Sequence, residues 1–483
     1  MPVFSALLLT LPWLNPFTFG PTSSVVPLLF SWTCMALLLT ALGLRGSPIS
    51  QGTVLRVAAG AWLAAALLSA VIGLVQYFGF SAAFEGWVNH TSRAEAFGNL
   101  RQRNQFASLM NIGLVALLWW AAQDTAGRRA RWSSVLCAAV MLGLGNAVSS
   151  SRTGFFEIIL VAVLALVWGG WRKPRIVAVL AAAGLAYVLG TVTLPWLMGL
   201  DPFSGSAWSR LQAGNDACFS RLTLWGNVWH LITQKPLFGW GWGELDYAHL
   251  VTLYPGERFC DILDNAHNLP LHLAVELGLP VALMACFGVV WGLWRGKAWR
   301  ESDASRQMGW SVLAVLGLHS LLEYPLWYGP FQLAAIISLL LLWPSGRQLL
   351  ARPGLCVGVG VLTLAACAYI AWDYNRISQI YRAAGERAPA YRTNTLQKLK
   401  ASRLFADQVK FAELTITPLT LSNASELHTL AEEMLHFSPE ARVLEILIES
   451  SVMQGLDDEA AFYLHRFRIA FPERHAQWVS KNR

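Results

Sequence analysis

Charge is scarce in this sequence: Asp, Glu, Lys and Arg together make up 13% of its 483 residues. A soluble domain usually carries roughly 25% charged residues, whereas here 55% of the residues are hydrophobic and 23 are Trp. A transmembrane helix takes about 20 consecutive apolar residues, and the chain contains many such runs. The composition excludes an ordinary soluble protein and predicts an all-α polytopic membrane protein.

Cysteine motifs are also lacking, since the seven cysteines show neither a CxxC pair nor zinc-ligand spacing. Five of them lie in apolar segments, where cysteine packs as a small hydrophobic residue. Cys218 and Cys260 share one large polar loop. A disulfide between them is open if that loop is exoplasmic, because disulfides persist in oxidising compartments.

Signatures of nucleotide and metal chemistry are missing as well. The sequence contains no P-loop and no dinucleotide fingerprint. The aspartates of the large loop are spread out rather than grouped; they are Asp201, Asp216, Asp246, Asp261 and Asp264. The net charge of +7 is explained by basic loops between the spans. We therefore predict no metal, no cofactor and no nucleic-acid partner.

About eleven apolar segments are present, and they predict the transmembrane helices. They lie near residues 3–14, 24–44, 53–77, 105–122, 132–149, 153–171, 176–199, 269–294, 308–323, 328–343 and 355–372. Basic loops fall at every second connection, around Arg45, Arg128, Arg172, Arg295 and Arg347. Because short basic loops face the cytoplasm, we expect a cytoplasmic N-terminus, a retained first span and an exoplasmic C-terminus.

Two exoplasmic connections are far longer than a hairpin needs, namely residues 78–104 and 200–268. We place a membrane domain at residues 1–373 and a periplasmic helical domain at residues 374–483. Within the latter, SPEARVLEILIESSVMQGLDDEAAFYLHRFRIAFP has the pattern of a helix pair capped by Ser438 and interrupted at Gly455. One such pair is similar to a tetratricopeptide unit. The domain either binds a partner or caps the membrane domain.

Arginines lie on the side where short loops usually avoid them. The exoplasmic cations are Arg93, Arg101, Arg103, Arg152, Arg210, Arg221, Lys235 and Arg258. A single arginine at a membrane boundary is equally well explained by snorkelling to lipid phosphates. Several from separate loops are typical of a polyanion site, because guanidinium groups pair with phosphate oxygens through parallel hydrogen bonds. This pattern indicates a binding site for a polyprenyl-diphosphate carrier lipid.

A histidine marks the junction between the large loop and the eighth apolar segment. In DNAHNLPLHLAVELGLP, His267 lies where loop becomes helix, and imidazole suits proton transfer near neutral pH. The alternative is an interfacial histidine beside a helix cap formed by Asn265 or Asn268. His272 and Glu276 follow five and nine residues later, a spacing that excludes an HExxH-type metal face.

The ninth apolar segment ends in LHSLLEYPLWYGPF, with two ionisable groups four residues apart. His319 and Glu323 are predicted on one helix face, where a buried ionisable group is functional by default. The alternative is that they simply pair with each other. Tyr324 and Tyr328 either line a substrate channel or belong to an interfacial aromatic belt.

Five motifs in order resemble one family. They are FGNLRQRNQFASL, SSSRTGFFE, SRLTLWGNVWHLITQKPLFGWGWGE, DNAHNLPLHLAVELGLP and HSLLEYPLWYGPFQ. Over about residues 95–335 they resemble the bacterial protein O-oligosaccharyltransferases that glycosylate pilins, within the superfamily of O-antigen ligases and polymerases. The large-loop pattern is shared by the whole superfamily, whereas GNLRQRNQFA and HSLLEYPLWY are more typical of the protein-glycosylating branch. One departure is Arg103, where that branch has Pro before Asn104.

The resemblance implies a GT-C-like fold in the bacterial inner membrane, with the active site in the periplasm. It implies en bloc transfer of an oligosaccharide from undecaprenyl diphosphate to a Ser or Thr of a periplasmic protein such as a pilin. From the chemistry of this transfer we predict three catalytic residues: His267, which matches the large-loop histidine of the family and is either a general base or a diphosphate contact, and Arg152 and Arg221, which stabilise the leaving diphosphate. The residues that we predict to bind substrate, with Gln102, Gln105 and Tyr328 lining the donor or acceptor channel, are Arg101, Gln102, Arg103, Gln105, Asn268, His319, Glu323, Tyr324 and Tyr328.

Other functions remain open. An O-antigen ligase or polymerase would use the same membrane-domain chemistry on a glycan acceptor, and the C-terminal domain favours a protein acceptor. A transporter of lipid-linked sugars would distribute polar groups through the bilayer and often shows inverted repeats. The unusual polar residues of this chain instead cluster at one face, which favours an enzyme.

Overall fold

The fold was described from a computed structural model covering residues 2–46, 51–123, 129–201, 217–343 and 352–481. The predicted loop residues Arg128, Arg210, Asp216 and Arg347 lie outside these ranges. Within them the regular secondary structure is helical. The α-helices are α1 Pro2–Leu14, α2 Val25–Leu44, α3 Gln51–Tyr77, α4 Arg103–Ala122, α5 Arg129–Ser149, α6 Arg152–Val167, α7 Pro174–Leu197, α8 Arg221–Gln234, α9 Leu245–Val251, α10 Leu269–Leu277, α11 Leu279–Gly296, α12 Ala304–Ser320, α13 Gly329–Leu342, α14 Pro353–Ile377, α15 Thr395–Leu399, α16 Ala406–Ile416, α17 Ala424–Leu435, α18 Ala441–Met453, α19 Asp457–Ala470 and α20 Pro472–Lys481.

Seven of these helices are long and apolar enough to cross a membrane, namely α2, α3, α4, α5, α7, α11 and α14. Helices α1 and α13 are apolar but shorter. All eleven predicted apolar segments contain helix, which confirms the polytopic all-α prediction. The number of spans, eleven, stays a prediction.

The eighth predicted segment, residues 269–294, is not one continuous helix. It divides into α10 and α11 at Gly278, whose φ of +87° is a conformation that L-residues rarely adopt. A Cβ atom at Gly278 would lie 2.1 Å from the carbonyl oxygen of Leu237. The Leu279 amide donates to the Pro236 carbonyl at 2.8 Å. The preceding loop therefore packs directly against the helix break, and the expectation of an unbroken segment is wrong.

The chain divides into two compact units. Unit 1 comprises Met1–Thr18, Ser23–Ala213 and Gly292–Tyr369. Its helices approach closely where small residues face each other, as is common among membrane helices. A Cβ at Gly113 of α4 would lie 2.3 Å from Ala66 of α3, and one at Gly143 of α5 would lie 2.3 Å from the Ala183 carbonyl oxygen of α7.

Unit 2 comprises Phe19–Thr22, Gly214–Trp291 and Ile370–Arg483. It brings the large loop together with the C-terminal helices, because Leu250 of α9 belongs to the same buried cluster as Leu414, Leu444 and Phe467. The Arg466 guanidinium also donates to the Val251 carbonyl at 2.9 Å. The predicted domain boundary at residue 373 stays a prediction.

The predicted C-terminal helix pair corresponds to α18 and α19. Gly455 lies between them with a φ of +75°, and α19 begins at Asp457 as expected. The cap of α18 differs from the prediction, because the helix begins at Ala441 with Glu440 at the N-cap position. Ser438 instead donates its hydroxyl hydrogen to the Glu440 carboxylate at 3.2 Å. The likeness to a tetratricopeptide unit stays a prediction.

Candidate functional site

Three of the predicted arginines occupy the same local position, the first residue of a helix. Arg103 begins α4, Arg152 begins α6 and Arg221 begins α8. Each helix start is capped by the preceding side chain, with Gln102 accepting from the Gln105 amide at 2.7 Å, Ser151 from the Gly154 amide at 3.0 Å and Ser220 from the Thr223 amide at 3.1 Å. A helix N-terminus carries partial positive charge and attracts anions. At each of these three helix starts, the positive charge of the guanidinium therefore adds to the partial positive charge of the helix N-terminus.

The two arginines before the fourth span already have protein partners. Arg103 forms an ion pair with Glu95 at 3.3 Å, and both side chains are substantially exposed. Arg101 has a φ of +61° and donates to the Pro16 carbonyl, and burial lowers the pKa of its guanidinium. Gln105, which was predicted to line a substrate channel, is buried. These contacts hold the backbone of the GNLRQRNQ segment in place through bonds within the protein.

Asn104 links three elements of unit 1. Its amide nitrogen donates to Glu323 at 2.9 Å, and its amide oxygen accepts from the Ser151 hydroxyl at 2.6 Å. Ser151 is the cap of α6, directly before Arg152. Glu323 lies beyond the end of α12, which stops at Ser320, so the predicted placement of this carboxylate on a helix face is wrong.

A second group of polar side chains lies deeper in unit 1. The Ser108 hydroxyl is 2.5 Å from Glu157 Oε1 and 2.8 Å from His319 Nδ1. The Asn111 amide donates to Glu157 Oε2 at 2.9 Å, and the Asn146 amide donates to Asn111 Oδ1 at 3.3 Å. Glu157 and His319 are both completely buried. His319 therefore takes part in a buried network that spans several helices.

Glu157, Ser108 and Asn104 were missed as site residues, although all three occur within the recognised motifs. A signal for Glu157 was available: it is the one ionisable residue between Arg152 and the end of α6. An ionisable group inside an apolar helix is costly unless it is paired or functional. For Ser108 no signal was available, since one serine in an apolar run is unremarkable.

The aromatic residues after α12 pack on one another. The rings of Tyr324 and Tyr328 are stacked, with centroids 6.0 Å apart and an interplanar angle of 21°. Tyr324 also contacts Trp327 edge-on at 6.3 Å. Both tyrosines are half-buried, which fits a wall of a substrate channel as well as an interfacial belt.

In unit 2 the large loop is closed by a disulfide between Cys218 and Cys260. The Cys260 amide also donates to the Cys218 carbonyl at 3.1 Å. Helix α8, which begins at Arg221, follows the first cysteine directly. The disulfide that the sequence left open is therefore present, and it joins the start of the Arg221 helix to the segment leading to His267.

His267 lies in an unusual backbone conformation, with a φ of +49°. Its amide donates to the side-chain oxygen of Asn265 at 2.9 Å. Of the two candidate caps, Asn268 serves α10, because its side chain accepts from the Leu271 amide at 3.1 Å. A non-glycine residue with positive φ is strained and is over-represented at functional sites.

One acidic group, Asp264, interacts with this histidine in unit 2. Burial raises the pKa of the Asp264 carboxyl, and the nearby His267 partly opposes that shift. Burial raises the pKa of Asp246 to about 7, and repulsion from Glu244 and Asp264 adds to the shift. Further along the chain, His272 and Glu276 pair at 3.5 Å. His267 thus faces a carboxyl that is poorly solvated and electrostatically coupled to it.

The predicted site residues fall into two groups, one in each unit. Unit 1 holds the residues of the α4 and α6 starts, His319 and the turn after α12, and unit 2 holds Arg221, His267 and Asn268. Among the described residues one further group has metal-ligand chemistry: His428, Glu432 and Glu459. Its two carboxylates approach opposite ring nitrogens of His428, at 3.6 Å and 3.1 Å. That arrangement fits an ion-paired imidazole better than a metal centre.

Comparison with known families gives three matches along the chain. Residues 96–121 match a protein glycosylation ligase family, and residues 137–286 match the O-antigen ligase family. Residues 307–483 match the family of C-terminal regions of virulence factor membrane-bound polymerases. The first two matches contain the α4 start and the disulfide-closed loop described above.

Two curated relatives come from Acinetobacter baylyi. A general O-oligosaccharyltransferase is 26% identical over 281 residues, which cover 56% of this chain and 47% of the relative. A ComP-specific O-oligosaccharyltransferase is 25% identical over 264 residues, covering 54% and 45%. The chain thus spans about half the length of the curated relatives it matches. Over these parts of its length the chain is thus similar to the O-antigen ligase superfamily and to its protein O-oligosaccharyltransferases.

Proposed function

We propose that this protein transfers an oligosaccharide en bloc from undecaprenyl diphosphate to a Ser or Thr hydroxyl of a periplasmic protein such as a pilin. The observation that carries the proposal is Arg221, which begins a serine-capped helix in the same unit as His267, and Arg152 has the same local setting in unit 1. At each helix start the guanidinium and the helix N-terminus are both positive, and this combination suits a diphosphate. The likeness to protein O-oligosaccharyltransferases supports the protein acceptor.

The chemistry is a substitution at the anomeric carbon of the first sugar. The acceptor oxygen forms a bond to that carbon while the bond from carbon to the diphosphate oxygen breaks, and the electron pair leaves with the diphosphate. A Ser or Thr hydroxyl ionises too weakly to attack unaided, so a base takes its proton in the transition state. We assign this role to His267, whose backbone is held in an unusual conformation close to the Asp264 carboxyl.

We assign Arg221 to the leaving group, and Arg152 keeps the same role as a prediction from the sequence. Negative charge grows on the diphosphate as the bond breaks, so cations aimed at it stabilise the transition state more than the ground state. The serine caps fix both helix starts, and Asn104 additionally fixes Ser151 beside Arg152. No nucleotide is required, because the lipid–diphosphate–sugar bond already stores the free energy. We propose that no metal is required either, since the arginines supply the positive charge.

We propose that both groups of site residues face the periplasm and that the chain crosses the inner membrane about eleven times. The alternation of basic loops supports this orientation. The C-terminal helices share a hydrophobic core with the large loop through Leu250 of α9. This continuity supports a role for the C-terminal helices in presenting the acceptor protein to the loop that carries His267.

A second function is favoured by one specific observation. Residues 307–483 match the C-terminal region of membrane-bound polymerases, and a polymerase transfers glycan to glycan. The membrane-domain chemistry would be unchanged, and only the acceptor would differ. Acceptor identity therefore decides between the two functions.

The test is a transfer assay with the purified protein in liposomes and an undecaprenyl-diphosphate oligosaccharide as donor. Pilin, lipid A–core and free glycan are offered separately, with and without EDTA, and products are read by intact mass. We expect pilin to gain one intact oligosaccharide, EDTA to have no effect, and Arg221→Ala to abolish most of the transfer. Transfer to glycan alone would establish the polymerase instead. Movement of the donor between leaflets without transfer to any acceptor would refute both.

A further inference from the structure

Helix α8 is fastened to the segment that precedes His267 by three separate contacts in unit 2. The disulfide from Cys218 to Cys260 holds one end. Within α8, the Asn227 amide donates to the Glu257 carbonyl at 2.9 Å and its oxygen accepts from the Phe259 amide at 2.8 Å. Two residues earlier in α8, the indole N–H of Trp225 donates to the Ala266 carbonyl at 3.1 Å.

The last contact has the most direct bearing on the site. Ala266 is completely buried and is joined by its peptide bond to His267. Trp225 lies four residues after Arg221, so the two side chains project from the same face of α8. The indole hydrogen bond therefore brings the backbone of His267 to the face of the helix that carries Arg221.

The same contact bears on the backbone conformation of His267. A φ of +49° is unfavourable for a residue with a Cβ atom and persists where the surroundings hold it from several sides. The Asn265 side chain holds the His267 amide at 2.9 Å on one side. Trp225 holds the carbonyl of Ala266, in the same peptide group, on the other. Both polar atoms of that peptide group are thereby fixed.

We propose that Trp225 is the positioning residue for His267: its indole N–H orients the Ala266–His267 peptide so that the imidazole meets the acceptor hydroxyl on the Arg221 side of α8. The inference rests on the proposed function for the role of His267. The contact between Trp225 and the Ala266–His267 peptide does not depend on that function and can be measured separately. Trp225 acts through His267 and is not itself a catalytic residue.

The chain offers a matched control at the other end of the same helix. The indole N–H of Trp240 donates to the Leu231 carbonyl at 3.0 Å, a contact of the same kind in the same unit. Trp225→Phe and Trp240→Phe each keep an aromatic ring and remove one indole hydrogen bond. A general loss of stability would affect both variants, whereas loss of His267 positioning would affect only the first.

Two measurements are made on the full-length protein in liposomes. The first is the transfer assay with pilin, resolved into kcat and the KM for the donor. We expect Trp225→Phe to lower kcat about tenfold with little change in KM, because a displaced base costs rate rather than donor binding. Trp240→Phe is expected to stay near wild type in both.

The second measurement is the rate at which diethyl pyrocarbonate labels His267, read by peptide mass spectrometry against the exposed His465. We expect labelling of His267 to accelerate severalfold in Trp225→Phe and not in Trp240→Phe, because the released peptide lets the ring turn outward. Equal behaviour of the two variants in either measurement would overturn the proposal. If wild type transfers no glycan to any acceptor, the proposed function fails by itself, and the labelling comparison still decides whether Trp225 holds His267.

Discussion

The two groups of site residues are held in place by different physical means. In unit 1 the polar side chains bind one another, so that Ser108 touches both Glu157 and His319, and Asn104 touches both Glu323 and Ser151. In unit 2 the Arg221 helix and the His267 segment are joined mainly by a disulfide and by bonds from side chains to backbone. We call the hydrogen-bonded side chains of unit 1 the network. We call the disulfide and the side-chain-to-backbone bonds that join the Arg221 helix to the His267 segment the clamp.

The difference follows from the surroundings of each group. Inside an apolar helical bundle no water replaces a missing partner, so each buried polar group must find its bonds among other side chains. A loop exposed to water has no such requirement and is limited instead by its conformational entropy, which a covalent crosslink reduces. The network is therefore sensitive to the loss of any one member, whereas the clamp is sensitive to reduction.

The largest effect should separate catalysis from structure. We expect His267→Ala to lower kcat for transfer by at least about a hundredfold, the usual contribution of a general base, while its melting temperature stays near that of wild type. His319→Ala, which removes a buried member of the network, should instead lower the melting temperature. A thermal-shift assay beside the transfer assay checks both. If His267→Ala retained most of its activity, the base assignment would be wrong.

Breaking the clamp should have the next largest effect. The disulfide closes a loop with a sequence separation of 42 residues, and removing a crosslink of this kind typically costs about 2–4 kcal/mol. We expect the double variant Cys218→Ser/Cys260→Ser to unfold earlier in denaturant and to lose transfer activity. The free cysteine variant Cys137→Ser, which leaves the crosslink intact, is the control. Identical unfolding of the double variant and the control would show that the noncovalent contacts suffice.

Removing one member of the network should have a smaller effect than breaking the clamp. Ser108→Ala leaves Glu157 and His319 each without one hydrogen bond, and an unsatisfied buried group costs about 1–3 kcal/mol. Ser338→Ala is the matched control, because the Ser338 hydroxyl is also buried in unit 1 and has no hydrogen-bond partner among the described residues. We expect the control to unfold like wild type or slightly later. Equal destabilisation of the two variants would mean that the network adds nothing to stability.

The same comparison shows what the sequence could predict. The apolar segments follow from local composition, and all eleven contain helix. His267, Arg221 and the two cysteines of the clamp lie within about 50 residues of one another, so one loop sufficed to suggest them. The network joins residues 35 to 219 positions apart on different helices, such as Asn111 with Asn146 and Asn104 with Glu323. Such pairs depend on which helices pack together, and periodicity in one sequence carries no information about that.

The helix break at Gly278 was missed for a related reason. Leu277 and Leu279 continue the apolar run on both sides, so composition alone favours one helix over residues 269–294. The break arises because the chain at Pro236 and Leu237 packs against it, and that contact comes from a distant part of the sequence. Glycine permits the turn, but a glycine in an apolar run does not by itself predict a helix break.

The smallest expected effect is a pH dependence of the free energy of unfolding of unit 2. His249 lies in α9 of unit 2, where burial and the charge of Arg258 lower its pKa to about 3. A histidine whose pKa is depressed by folding stabilises the protein above its unfolded pKa of about 6.5 and loses that contribution as the pH falls toward 3. Linkage gives a loss of about 0.8 kcal/mol by pH 6. Asp246, whose pKa burial raises to about 7, titrates over the same range with the opposite sign, so we compare variants: between pH 7.5 and pH 6 the free energy of unfolding of wild type should change by about 0.8 kcal/mol less favourably than that of His249→Gln. The Trp225 and Trp240 indoles lie within unit 2, so tryptophan fluorescence of single-tryptophan variants retaining either one would report its unfolding. An unchanged pH dependence in His249→Gln would assign the acid sensitivity to another group.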